Sequence, residues 1–149
     1  MTIEDAIKQK KFADNWEKAL VNLHFTSNWY RDHLLATLKP YKINDQHYNI
    51  LRILKGRYPN CASPGDIKEV LVNKRGDLTR LLDKLDKLGH VERATNPNNR
   101  RMVDIRITES GIQLLEELKN VIDTMKHFQQ TLSSEEAALL SSLLDKMRI

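Results

Sequence analysis

The chain has 149 residues, of which 40% are hydrophobic and 30% charged, with five glycines, four prolines and a formal net charge of +4. That length supports one domain with a core of its own, and the composition excludes collagen-like, low-complexity and disordered chains. One cysteine, Cys61, excludes an intrachain disulfide, and no run approaches the roughly 18 apolar residues of a membrane span. A cytoplasmic protein without a membrane partner is expected.

The elements follow in chain order. Residues 4–38 contain no Pro or Gly, and Phe12, Trp16, Leu20, Leu23, Trp29, Leu34 and Leu38 recur near helical spacing. One long helix is predicted there, with a break near residues 26–28, ended by Lys39-Pro40-Tyr41. Asn44 caps a second helix with apolar positions His47, Ile50, Leu51, Leu54 and Tyr58, and Pro59-Asn60 stops it. Ser63-Pro64 opens a short third helix over 64–71. Asn73 is the expected cap of a fourth, in which Leu78, Leu81, Leu82, Leu85 and Leu88 share one face. Gly89 closes it.

The period then changes to two. Residues 91–94 and Val103, Ile105 and Ile107 form two strands around the turn Asn96-Pro97-Asn98-Asn99. Thr108, with Gly111 nearby, starts a fifth helix running to about residue 129. Ser133 and Glu136 form the capping box of a last one, leucine-rich to about residue 147. The fold class is mainly α with a small β-hairpin wing, in the order α-α-α-α-β-β-α-α.

Charge is concentrated in the middle of this order. Residues 72–101 carry eight Lys/Arg against four Asp/Glu, an excess equal to that of the whole chain, whereas residues 102–149 carry five against eight. A basic face of this kind suits a polyanion. A short helix, a turn, an amphipathic helix and a basic hairpin make a helix-turn-helix with a wing. Its second helix fits the major groove of duplex DNA, where base edges are distinguishable. The hairpin tip reaches phosphates or a narrow minor groove, where arginine is favoured.

The runs Thr79-Arg80-Leu81-Leu82-Asp83-Lys84-Leu85, Leu88-Gly89-His90-Val91-Glu92-Arg93, Asn96-Pro97-Asn98-Asn99-Arg100-Arg101 and Ile105-Arg106-Ile107-Thr108-Glu109-Ser110-Gly111 resemble the MarR family of bacterial transcription regulators. The family's wing commonly reads Asp-Pro-x-Asp-Arg-Arg and closes with Leu-Thr-x-x-Gly. This chain departs from it at Asn96 and Asn99. The second of those acids braces the wing arginine in the family, here Arg101; asparagine makes that brace neutral and weaker. The resemblance implies a homodimer on a pseudo-palindromic double-stranded operator, each recognition helix in a major groove and each wing in the flanking minor groove. It also implies a repressor released by a small aromatic or phenolic effector, with no enzymatic activity and no cofactor. Residues 1–149 are then a single MarR-like chain, with a winged lobe over 44–111 and a helical dimerisation region over 4–38 and 112–148.

The candidate DNA-binding residues are Ser63, Lys74, Arg75, Asp77, Thr79, Arg80, Lys84, Arg93, Asn98, Arg100 and Arg101. Thr79 and Arg80 either touch DNA or form an ordinary solvated helix face. Asp77 either accepts from a cytosine amino group or braces Arg75 or Arg80, the favoured alternative because positions three apart meet on a helix. Arg93 is a phosphate contact or a solvated side chain, and Ser63 a cap whose backbone N–H also suits a phosphate. Trp29, His33, His47 and Tyr48 lie where the family's effector cleft is found, or are core and surface aromatics. Cys61 is expected to be buried and inert rather than an oxidant sensor. The five histidines show no metal-ligand spacing. The alternative function is a winged-helix protein-interaction module. It is disfavoured by the lack of any aromatic between Tyr58 and Phe128.

Overall fold

The computed structural model describes residues 1–148. Its elements are α1 (Ile3–Ile7), α2 (Asn15–Leu38), a 3-10 turn (Lys39–Tyr41), α3 (Asp45–Arg57), α4 (Pro64–Val70), α5 (Leu78–Lys87), β1 (Val91–Thr95), β2 (Val103–Ile107), α6 (Glu109–Val121), α7 (Thr124–Thr131) and α8 (Ser134–Met147). The chain is mainly helical with one antiparallel hairpin, as the sequence predicts. It divides into two compact units, Met1–Lys42 and the chain from Ile43 onward.

In the first unit the helix break falls at residues 8–14, not 26–28. Lys8 adopts the left-handed conformation at φ 57° and ends α1. Asp14 Oδ1 accepts from the Glu17 N–H at 2.8 Å, and the Glu17 carboxylate accepts from the Ala13 N–H. This local exchange starts α2 irrespective of the apolar spacing that runs through it. At residues 26–28 the helix continues, with the Thr26 hydroxyl bonded to Asn22 one turn back at 3.2 Å.

The core of the second unit is the shared interior of a helix-turn-helix and its hairpin. Ile50, Leu51 and Leu54 of α3, Ile67 of α4, Leu82 and Leu85 of α5, Val91, Ile105 and Ile107 of the strands, and Leu114, Leu115 and Leu118 of α6 are all buried. The α5 leucines sit there because spacings of three and four stack side chains on one helix face. Two expected boundaries move. Asn73 caps no helix; its side chain accepts from the Arg75 N–H within the turn, and Asp77 is the α5 cap. The predicted fifth helix splits at Ile122, whose ψ of 95° leaves the helical region between α6 and α7. Val121-Ile122 is a β-branched pair followed by Asp123-Thr124, a run of weak helix formers.

The hairpin pairs Val91 with Ile107 and Thr95 with Val103. Val103, expected in the buried face, is 39% exposed, because the hairpin outruns the body that covers Ile105 and Ile107. The link before α4 adds a bridge. Ala62 exchanges both backbone hydrogen bonds with Ile105 at 2.8 Å. Ala62 faces inward and is buried, and the alternation of extended backbone turns Cys61 outward, so the cysteine is exposed rather than buried.

The wing root is locked to α6. Gly89, at φ 79°, terminates α5 with the paired bonds of a Schellman motif, His90 N–H to Leu85 O and Gly89 N–H to Asp86 O. The Thr108 hydroxyl donates to Gly89 O at 2.6 Å and accepts from the Gly111 N–H at 3.2 Å, so one residue ends the hairpin and caps α6. A Cβ on Gly111 would lie 2.4 Å from His90 O and 2.7 Å from an Ile107 side-chain carbon. Gly111→Ala should therefore destabilise the protein by about 1–3 kcal/mol in urea unfolding. Gly56→Ala, where a Cβ meets nothing within 4 Å, should be neutral or stabilising by up to about 1 kcal/mol.

Candidate nucleic-acid interface

The face of α5 opposite its buried leucines presents Thr79, Arg80 and Lys84 to solvent. The turn leading into α5 is held to α3 by two amide side chains. Gln46 donates to Arg75 O at 2.8 Å, and Asn49 accepts from the Val72 N–H at 3.0 Å. Gly76, at φ 132°, lets the turn approach Gln46, whose amide nitrogen lies 2.8 Å from where a Cβ would stand. The start of the recognition helix is thus set from α3, by residues the sequence reading did not single out.

Each aspartate in this basic stretch has an internal task. Asp77 braces neither arginine side chain; its Oδ1 accepts from the Arg80 backbone N–H at 3.3 Å and caps α5. Asp83 accepts from Arg93 at 2.7 Å and Asp86 accepts from it at 3.2 and 2.9 Å. Arg93 therefore takes a role that neither sequence alternative named: its guanidinium ties β1 to α5. Its hydrogen bonds to Asp86 and then Asp83 hold it more firmly protonated than usual. A phosphate contact would compete with both carboxylates.

Other candidates are partly committed. Ser63 and Asp66 cap α4 reciprocally at 3.1 Å, and those bonds hold the Asp66 carboxyl below its usual range. The Lys74 ammonium donates to Glu69 O at 2.7 Å. At the wing tip Asn99 Oδ1 accepts from the Arg101 backbone N–H at 3.1 Å, so Asn99 holds the Arg101 backbone rather than its guanidinium. Asn98 and both tip arginines are exposed. Among the described residues Arg80, Lys84, Arg100 and Arg101 enter no ion pair.

Beside α5 lies a cleft of about 340 Å³ lined by Asn44, Gln46, His47, Asp77, Arg80, Leu81 and Lys84. His47 is 4% exposed. Its Nδ1 accepts from the Asn44 N–H and Asn44 accepts from the His47 N–H, both at 3.0 Å, a capping box with imidazole in place of carboxylate. Its one ring donor is then Nε2. Burial, then the Lys84 charge, partly opposed by Asp45, lowers the His47 pKa to about 4. Tyr48 carries the Arg52 guanidinium 5.7 Å from its ring centre. In the first unit the Trp29 and His33 rings meet at a 42° tilt with 4.5 Å between ring centres, and the His33 ring is bonded to Trp29 O at 3.0 Å. Among the described residues no group of three or more His, Cys, Asp or Glu is placed to hold a metal, and no helix is long and apolar enough to cross a membrane.

A two-helix unit followed by a hairpin packed on its second helix defines a winged helix-turn-helix transcription regulator. The MarR family model matches residues 41–102. The multiple antibiotic resistance protein MarR of Escherichia coli strain K12 is 33% identical over 123 residues, covering 80% of this chain and 84% of that protein. The chain belongs to the MarR family. It superposes with a TM-score of 0.72 on a crystal structure of an E. coli MarR mutant complexed with operator DNA, at 29% identity over 85% of this chain and 91% of that one. The S. aureus MepR–DNA complex shares the fold, with a TM-score of 0.75 at 22% identity over 92% of this chain and 97% of that one.

The His47 environment sets a pH dependence. Its pKa is depressed to about 4 in the folded chain, below the 6.5 of a free imidazole, so the unfolded chain binds more protons between those values. Stability then rises with pH from 4 to 6.5 and is fully present above, a difference on the order of 3 kcal/mol. His90, also lowered by burial, adds with the same sign. Unfolding of His47→Gln, which keeps an acceptor for the Asn44 N–H, should show a flatter rise over that window.

Proposed function

We propose that the chain is a homodimeric, sequence-specific DNA-binding repressor acting in the cytoplasm on a pseudo-palindromic duplex operator. The observation that carries this reading is the sorting of charge: Asp77, Asp83 and Asp86 are bonded internally, while Arg80, Lys84, Arg100 and Arg101 stand outward and uncommitted. Thr79 and Arg80 are the base-edge candidates, and Lys84 and Arg75 the phosphate candidates; the Ser63 N–H is bonded to Asp66 and is not assigned to DNA. Asn98, Arg100 and Arg101 enter the minor groove. Arg93, Asp77 and Lys74 hold the reading head together and are not assigned to DNA.

Two exposed apolar faces support the dimer. Leu139, Leu140, Leu143 and Met147 of α8 and Trp16, Leu20 and Leu23 of α2 are each at least 39% exposed. Patches of this kind call for a partner surface, and a two-fold copy supplies one that matches operator symmetry. A small aromatic or phenolic effector would release the complex.

Fluorescence anisotropy with a duplex from upstream of the protein's own gene tests the reading. Wild type should bind with a steep negative dependence of log affinity on log salt. Arg101→Ala should weaken binding and reduce that slope by about one counterion unit. An unchanged slope would remove Arg101 from the interface, and no binding at low salt would remove the function.

A further inference from the structure

The hairpin tip contains a polar contact specific to this chain's residues. Asn96 Oδ1 accepts from the Asn98 N–H at 2.8 Å and the Asn99 N–H at 3.1 Å. Its Nδ2 donates to both carboxylate oxygens of Asp104 at 3.2 Å. Both side chains are half-buried. Asp104 lies on β2 opposite Ala94, so it reaches the turn from the partner strand. An acceptor at position 96 is enough for the two turn N–H groups. Only a side chain that also donates can meet Asp104.

We propose that Asn96 is the positioning residue of the wing tip, and that Asp104 requires an amide there in place of a carboxylate. Asn96 orients the segment carrying Asn98, Arg100 and Arg101, and Asn99 continues the order through the Arg101 N–H. The neutral amide joins the turn to β2 and adds no negative charge beside the two arginines. The functional half of this inference rests on the DNA reading above; the structural half does not.

Full-length Asn96→Asp, Asp104→Asn and the exchanged double variant test both halves. The first readout is the ¹⁵N–¹H signals of Asn98, Asn99 and Arg101 from pH 5 to 8.5. The second is affinity for a 40-base-pair mixed-sequence duplex at low salt, taken as the ratio to wild type at each pH. In Asn96→Asp two carboxylates meet and share a proton only at acidic pH. Its tip signals should shift with pH, and its affinity should be about tenfold below wild type at pH 8 and within about twofold at pH 5. The exchanged variant has the wild-type net charge and a restored donor–acceptor pair, and should match wild type at both.

A pH-independent deficit in Asn96→Asp, or an exchanged variant as weak as that single variant, would overturn the positioning role. Tip signals that respond as expected in a protein that binds no duplex would uphold the clamp and reject the DNA reading instead.

Discussion

Arg93 reaches from β1 to Asp83 and Asp86, which lie three residues apart on one side of α5. An exposed ion pair contributes little to stability, about 0–1 kcal/mol. Its value here is geometric, because a planar guanidinium engaging two carboxylates fixes direction as well as distance. It adds a directional side-chain tie to the buried apolar packing and the Schellman turn at Gly89 that already relate the helix to the hairpin. With the pair in place, the cations of α5 and those of the wing tip are displayed on one supported frame. Lysine at position 93 would keep the charge and lose the two-point grip.

The same pair changes the electrostatics. Counted along the chain, the basic segment is diluted by acids, one for every two cations. In the folded unit Asp77 caps α5, Asp83 and Asp86 bond Arg93, and Glu92 bonds Arg106, whereas Arg80, Lys84, Arg100 and Arg101 stay outside these pairs. The sum of charge is unchanged, but its placement is sorted. The field offered to a polyanion is therefore a product of the fold as much as of composition.

The sequence made legible whatever depends on near neighbours. The leucines of α5, the Ser63-Pro64 and Ser133 starts, the Gly89 stop and the alternation of β2 at Ile105 and Ile107 all act within a few residues, and each lies where the pattern puts it. Choices between equally good local signals were not legible. Asn73 and Asp77 both suit a cap, and the tethering of the turn by Gln46 and Asn49 goes with a start at Asp77. Bonds across long separations were hidden as well. Arg93 finds its partners seven and ten residues back through a turn, and Asn96 meets Asp104 across the hairpin. The place of Asn96 and Asn99 in the wing was visible, but the division of labour between them was not. Cys61 was misjudged because an inward-facing Ala62 sets the alternation of the link, and a lone cysteine in a short link does not report that.

The bridge between Ala62 and Ile105 has a consequence for how the protein avoids its own copies. A two-stranded hairpin that projects from a body offers a free edge on each side, and free edges invite pairing with other chains. The link before α4 occupies the β2 edge at its most apolar point, beside buried Ile105. The neighbouring positions carry Asp104 and Arg106, the latter paired with Glu92 across the strands. What remains of that edge is short and flanked by charge, a poor template for a further strand. On its β2 side the wing can thus stand out from the body with little free edge to pair.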